Sequence, residues 1–244
     1  MTRRSSQTGF RWVAGAFALG FAAAVGYVGT TWMRYGRPSP PNPDETDPLL
    51  DRFMPTYDIA ERHHIGVAAP ADTTFAAACE TDLMQSPVAR AIFKAREVIL
   101  RGEPDDLTRP RGILAFTTSI GWGVLTLVPG REVVVGALTR PWDANVVFHA
   151  LPPDEFAAFN EPGYVKIAWT LRADPIGTTE SIFRTETRAV ATDSTARTKF
   201  RRYWSLLSPG IITIRWVALK PVKAEAERRA RAYGQGLAFR APSL

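Results

Sequence analysis

FRRYWSLLSPGIITIRWVALKPV, residues 200–222, is the stretch whose reading decides the fold. Phe200, Tyr203, Trp204, Leu207, Ile211, Ile214, Ala218 and Val222 recur every three or four residues, the spacing of one face of an α-helix. Arg201 and Arg202, with Arg197 and Lys199 just before them, make the opposite face basic. Ser208-Pro209-Gly210 is expected to kink or restart this helix, because an internal proline lacks a donor and clashes with the preceding turn. Immediately upstream the period is two. Tyr164 to Ala173 alternates, with Val165, Ile167, Trp169 and Leu171 on one side and Tyr164, Lys166, Thr170 and Arg172 on the other. Asp174 to Gly177 turns the chain, and Thr178 to Ala191 reads as a second long strand.

Working outward, Trp122 to Val128, the turn Pro129-Gly130 and Glu132 to Arg140 read as a hairpin, followed by a short strand within Asn145 to Ala150. Connections this short make the strands antiparallel. Earlier, Tyr57 to Ala69 is a strand with Ile59, Glu61, His63, Ile65 and Val67 on one face and Ala60, Arg62, His64 and Ala68 on the other. Pro70 ends it, and Asp72 is placed to cap a short helix carrying Phe75, Ala76 and Cys79. Ser86-Pro87 pairs an N-cap residue with proline at the first helical position. Val88, Ala91, Ile92, Ala95 and Ile99 then follow at helical spacing as far as Gly102.

A strand closed by an Ala-Pro step, two short helices, an antiparallel meander and one long C-terminal helix form an α+β order of elements. In this order the chain resembles the START-like superfamily, also called SRPBCC, of polyketide cyclase/dehydrase and lipid-transport proteins. The local phrases behind the resemblance are HIGVAAP at residues 64–70, Pro129-Gly130-Arg131-Glu132 with Gly136 and Pro141-Trp142, FRTETR at 183–188 and FRRYW at 200–204. It covers about residues 55–232. The resemblance implies a helix-grip fold, a curved antiparallel sheet packed on the long C-terminal helix with a largely apolar cavity between them. Members of the superfamily bind or transform hydrophobic molecules; fold alone does not choose between those activities.

Before the domain, Trp12 to Met33 runs for 22 positions without a charged side chain. As a helix it would reach about 33 Å, enough to cross a hydrocarbon core of roughly 30 Å. Trp12, Trp32 and Tyr35 sit where interfacial aromatics belong, and arginines flank the run on both sides. A single transmembrane helix over 12–33 is therefore expected. It follows a basic segment 1–11 and leads into a Pro-rich linker 34–48, a domain over 49–232 and a tail 233–244. A signal peptide ending at Ala22-Ala23-Ala24 is the rival reading, but the apolar run continues past that point. Three arginines before the span against two after it place the domain on the extracytoplasmic side.

Composition bounds the chemistry. With 45% apolar and 22% charged residues, the chain is neither wholly disordered nor a coiled coil. One cysteine, Cys79, and three histidines leave no disulfide framework and no Cys-based zinc site, so neither metal nor cofactor is expected. The net charge of +6 favours anionic surfaces, but no nucleic-acid-binding motif accompanies it, and nucleic acid is not expected as a partner. There is no phosphate loop, HExxH or GxSxG.

Adjacent on a strand, His63 and His64 point to opposite faces and cannot share a metal. Glu61 and His63 lie on one face, an arrangement suited to acid–base work. Arg184, Glu186 and Arg188 share a strand face as a charge ladder, expected to be a solvated outer face, with a buried polar cluster as the alternative. For the cavity, the candidate lining is Trp122, Trp142, His149, Trp169, Phe183, Phe200, Tyr203 and Trp204, with no catalytic residue assigned. The expected function is a membrane-anchored domain binding a hydrophobic small molecule or lipid. A cavity enzyme of cyclase or dehydratase type and a scaffold with a filled cavity are the alternatives.

Overall fold

A computed structural model describes residues 25–100 and 110–238. In chain order, a helix over residues 25–34 (α1) is followed by a 3-10 turn Pro43–Glu45 and the short helix α2, Pro48–Asp51. Strand β1, Ile59–Val67, precedes α3, Ala71–Glu80, and α4, Pro87–Leu100. Helix α5, Ile113–Ser119, leads into β2, Gly123–Val128, β3, Glu132–Thr139, and the two-residue β4, Phe148–His149. The chain closes with α6, Pro153–Ala158, β5, Val165–Pro175, β6, Ser181–Ala191, and α7, Ser194–Ala238.

The six strands among the described residues form one antiparallel sheet in the order β1-β6-β5-β3-β2, with β4 pairing the far end of β3. Helix α7 lies along the inner face, touching β1, β5, β6, α3 and α4. An antiparallel sheet gripped by a long C-terminal helix is the helix-grip architecture, and it is α+β. The period-two pattern of β5 places Val165, Ile167, Trp169, Leu171 and Ala173 on that inner face, as expected from the sequence. There they form two apolar clusters with α7. One holds Val67, Val133, Trp169, Leu171 and Phe183 with Leu219, Val222 and Ala226. The other holds Tyr35, Ile59, Val165 and Ala189 with Phe200 and Trp204. Each fully enclosed phenylalanine in these clusters contributes about 1.5–3 kcal/mol of transfer free energy.

The outer face is also covered. Leu125, Val134, Leu138 and Ala168 pack against Leu50, Phe53 and Met54 near α2 and Phe156 of α6. The Arg184–Glu186–Arg188 ladder is consequently not solvated. Glu186 is 5% and Arg188 2% exposed, so the buried-cluster alternative holds. Arg188 pairs with Glu186 at 2.8 Å and Asp51 at 2.5 Å, and donates to the Met54 carbonyl. Arg184 bridges Asp174 and Asp44, and Arg172 donates to Asp174 and to the Thr46 carbonyl. Residues 44–54 are thereby fastened across the sheet by arginines, and Asp47 caps α2 through the Leu50 amide.

Helix α7 runs unbroken through Pro209 and Pro221, so the expected restart at Ser208-Pro209-Gly210 does not occur. Its core-facing residues are Ala196, Phe200, Trp204, Ser208, Leu219, Val222 and Ala226, a stripe into which Arg215 falls by spacing. Residues 12–24 of the expected membrane span, like the segment 1–11, lie outside the described residues. Residues 25–33 belong to α1, and among the described residues no helix is long and apolar enough to cross a membrane. Helix α1 runs antiparallel to the start of α7. Tyr27 shares a hydrogen bond with Ser208 at 3.0 Å, and Arg201 donates twice to the Trp32 carbonyl with its guanidinium 4.1 Å over the Trp32 ring.

Candidate functional site

The structure brings seven of the eight predicted lining residues to the two inner-face clusters. Trp122, Trp169 and Phe183 belong to the first, where the Trp122 ring lies 6.3 Å from Trp169 in an edge-on contact. Phe200, Trp204, Tyr203 and Trp142 belong to the second. Phe200 stacks on Tyr203 at 6.1 Å, and the Lys199 ammonium lies over the Trp142 ring. His149 stands apart: it is exposed on β4, opposite Leu138. Within each cluster the aromatic side chains pack on one another and on α7.

Between the clusters the inner face turns polar. Glu61 and His63 come from β1, Thr185 and Thr187 from the neighbouring β6, and Arg215 from α7. The β1–β6 register sets His63 beside Thr185 and Glu61 beside Thr187. Arg215 donates to the Thr185 hydroxyl at 3.2 Å, and its guanidinium lies 5.8 Å from the centre of the Trp169 ring. Trp216, next along α7, is 63% exposed and meets His63 edge-on at 6.2 Å. Glu61, His63 and Arg215 are each half-buried, at the line where the edge strand β1 meets α7.

Three enclosed polar atoms here have no hydrogen-bond partner among the described residues: Arg215 Nε, His63 Nε2 and Thr187 Oγ1. Among the described residues no carboxylate lies within ion-pair distance of Arg215. Desolvation pulls its pKa down to about 10, against the opposing charge of Glu61. Burial, then the charges of Arg215 and His64, pushes His63 down to about 4, so its imidazole is neutral at pH 7. Burial raises the Glu61 carboxyl, opposed by Arg215 and Arg62. The arrangement presents a cation and two hydrogen-bonding atoms in apolar surroundings. That chemistry suits an anionic or strongly accepting oxygen.

Sequence reasoning found Glu61 and His63 through their shared strand face but missed Arg215 and the two threonines. The only signal for Arg215 was its place, one residue after Ile214, on the helix stripe itself. Cys79 is half-buried, its thiol pushed up to about 11 mainly by burial, which makes it a poor nucleophile. Among the described residues no group of His, Cys, Asp and Glu is arranged to hold a metal ion.

No protein-family model and no curated protein matches the chain. Solved structures similar to it include the following three. Protein CV1439 from Chromobacterium violaceum is 11% identical, covers 64% of this chain and 95% of its own, and has a TM-score of 0.26. The ZhuI aromatase/cyclase from Streptomyces sp. R1128 is 15% identical over 72% of this chain and 97% of its own, with a TM-score of 0.23. BexL, the di-domain ARO/CYC of the BE-7585A biosynthetic pathway, is 15% identical over 69% of this chain and 46% of its own, with a TM-score of 0.24. The helix-grip description rests on the strand order and the placement of α7 given above.

Proposed function

We propose that this chain is a membrane-tethered helix-grip domain that holds an amphipathic small molecule without transforming it. The ligand's polar oxygen end sits among Arg215, His63 and Thr187, and its apolar body lies along the β1–α7 edge beside Trp216. The observation that carries the reading is the set of three enclosed polar atoms left without partners at the sheet–helix junction. A desolvated guanidinium with no carboxylate in ion-pair contact costs free energy that an incoming anionic oxygen offsets. Because the aromatic clusters are packed, this reading puts the ligand at the β1–α7 edge rather than deep between sheet and helix. The apolar run 12–33 supports the tether.

Titration of the full chain in detergent with 9,10-dibromostearate, read by tryptophan fluorescence, tests this. Saturable quenching is expected, at least tenfold weaker in Arg215→Leu and with the matching dibromo alcohol. Quenching that never saturates, or that is the same for acid and alcohol, overturns the reading. A second reading, a cavity enzyme, draws on the neutral imidazole of His63 two residues from Glu61 on one strand face, the pairing general-base work uses. Turnover of a co-purified ligand that is unchanged in His63→Ala would remove it.

A further inference from the structure

At the junction of α1 and α7 lies an open cleft of about 330 Å³ lined by Tyr35, Gly36, Arg37, Arg197, Thr198 and Arg201. Three guanidinium groups share it. Asp58 is the carboxylate paired there, and it is buried and fully engaged. It accepts from the Tyr35 hydroxyl at 3.1 Å, the Ala191 amide at 3.1 Å and Arg197 at 2.6 Å. Positive charge therefore remains in excess. Arg201 is fixed by its two bonds to the Trp32 carbonyl, which leave its Nη1 without a partner among the described residues. The Arg37 side chain has no partner among the described residues either.

The cleft is also held in shape. Gly36 adopts φ +77, donates its amide to the Asp58 carbonyl, and would place a Cβ 2.7 Å from Arg197 Nη2. Glycine is thus needed both for the backbone turn and for the room that the guanidinium occupies. Tyr35 is anchored in the inner-face core, edge-on to Phe200. Forked, planar guanidinium groups around an open space of this size match the oxygens of a phosphate. Position selects the source of that phosphate. Arg37 follows Met33, the last residue of the apolar run, by four positions, and Met33 is 68% exposed. Cations just beyond the end of a span meet lipid headgroups.

We infer that this cleft binds the phosphate headgroup of an anionic phospholipid, orienting the domain at the membrane surface. The choice of lipid over free phosphate rests on the membrane tether proposed above. Calorimetry of the full chain in dodecyl maltoside with dihexanoyl phosphatidic acid tests the site without requiring insertion into a bilayer. Saturable binding is expected, at least tenfold weaker in Arg37→Gln/Arg197→Gln and at least threefold weaker in Arg37→Gln alone, a side chain that supports nothing else in the fold. Inorganic phosphate should bind at least tenfold more weakly than the lipid. Equal affinity for wild type and Arg37→Gln, or for lipid and inorganic phosphate, overturns the inference. Alkaline carbonate extraction of membranes reads the tether separately. Release of the chain with lipid binding intact would remove the tether and keep the site; retention with no lipid binding would remove the site and keep the tether.

Discussion

Replacing Glu132, the first residue of the interior strand β3, by glutamine should flatten the pH dependence of stability. Glu132 opens β3 opposite Arg172 and is 5% exposed, and its Oε1 has no hydrogen-bond partner among the described residues. Burial, then the charge and hydrogen bond of Asp47 and the charge of Asp174, push its pKa from 4.5 up to about 8, against the pull of Arg172. Because the folded state holds this proton more tightly than the unfolded chain, the contribution to stability is complete below about pH 4.5. It declines as pH rises and is gone above about 8. The slope is at most about 1.4 kcal/mol per pH unit, so the loss between pH 5 and 8 is on the order of 3 kcal/mol. Glutamine keeps the shape and cannot ionise. Urea unfolding followed by tryptophan fluorescence at pH 5, 6, 7 and 8 should show wild type losing stability relative to Glu132→Gln by that amount. Parallel profiles for the two proteins would refute the assignment of a bound proton to this buried carboxyl.

Two further substitutions probe the packing that positions the site. In Gly136→Ala the new Cβ would lie 2.6 Å from Leu125 Cδ1 and 2.9 Å from the Phe156 ring. Overpacking should lower the unfolding free energy by about 1–3 kcal/mol, partly restored by Leu125→Ala in the same chain, as chemical denaturation would show. Arg188→Met leaves Glu186 and Asp51 without their shared cation beneath residues 44–54 and should cost about 3–5 kcal/mol. Arg188→Met/Glu186→Gln should lose less than the single variant, and a strictly additive double mutant would contradict a coupled buried cluster.

Legibility in the sequence followed from how local the determinant of each element is. The alternation of Val165, Ile167, Trp169 and Leu171 is a property of ten residues, and it was readable; so was the start of α4, where Pro87 takes the first helical position and the Ala89 amide donates to Ser86 Oγ. In β3, Val133, Val134 and Val135 are all buried because both sheet faces are covered, so period two carries no information about which side is inner. The short helices α2 and α6 have no pattern of their own and are held by Leu50 and Phe156, both fully buried by distant chain. For the charge ladder, the strand period shows that Arg184, Glu186 and Arg188 share a face, but what covers that face comes from Asp44 to Met54, well over a hundred residues earlier. Arg215 was missed for a related reason. An apolar stripe drawn through Ile211, Ile214 and Ala218 skips a cation, whereas the observed stripe continues through it to Leu219. A site built by placing a charge where packing calls for a hydrophobe is invisible to a hydrophobic pattern.

The most direct test of the proposed function is native mass spectrometry of the full chain, purified gently in detergent beside Arg215→Leu, with denaturation to release any bound molecule. Wild type should carry an amphipathic species with an acidic or strongly accepting oxygen group, and Arg215→Leu, still folded, should not. Retention of the same species at the same occupancy by Arg215→Leu would contradict the proposed function, as would an empty wild-type protein that takes up no member of a panel of acidic amphiphiles.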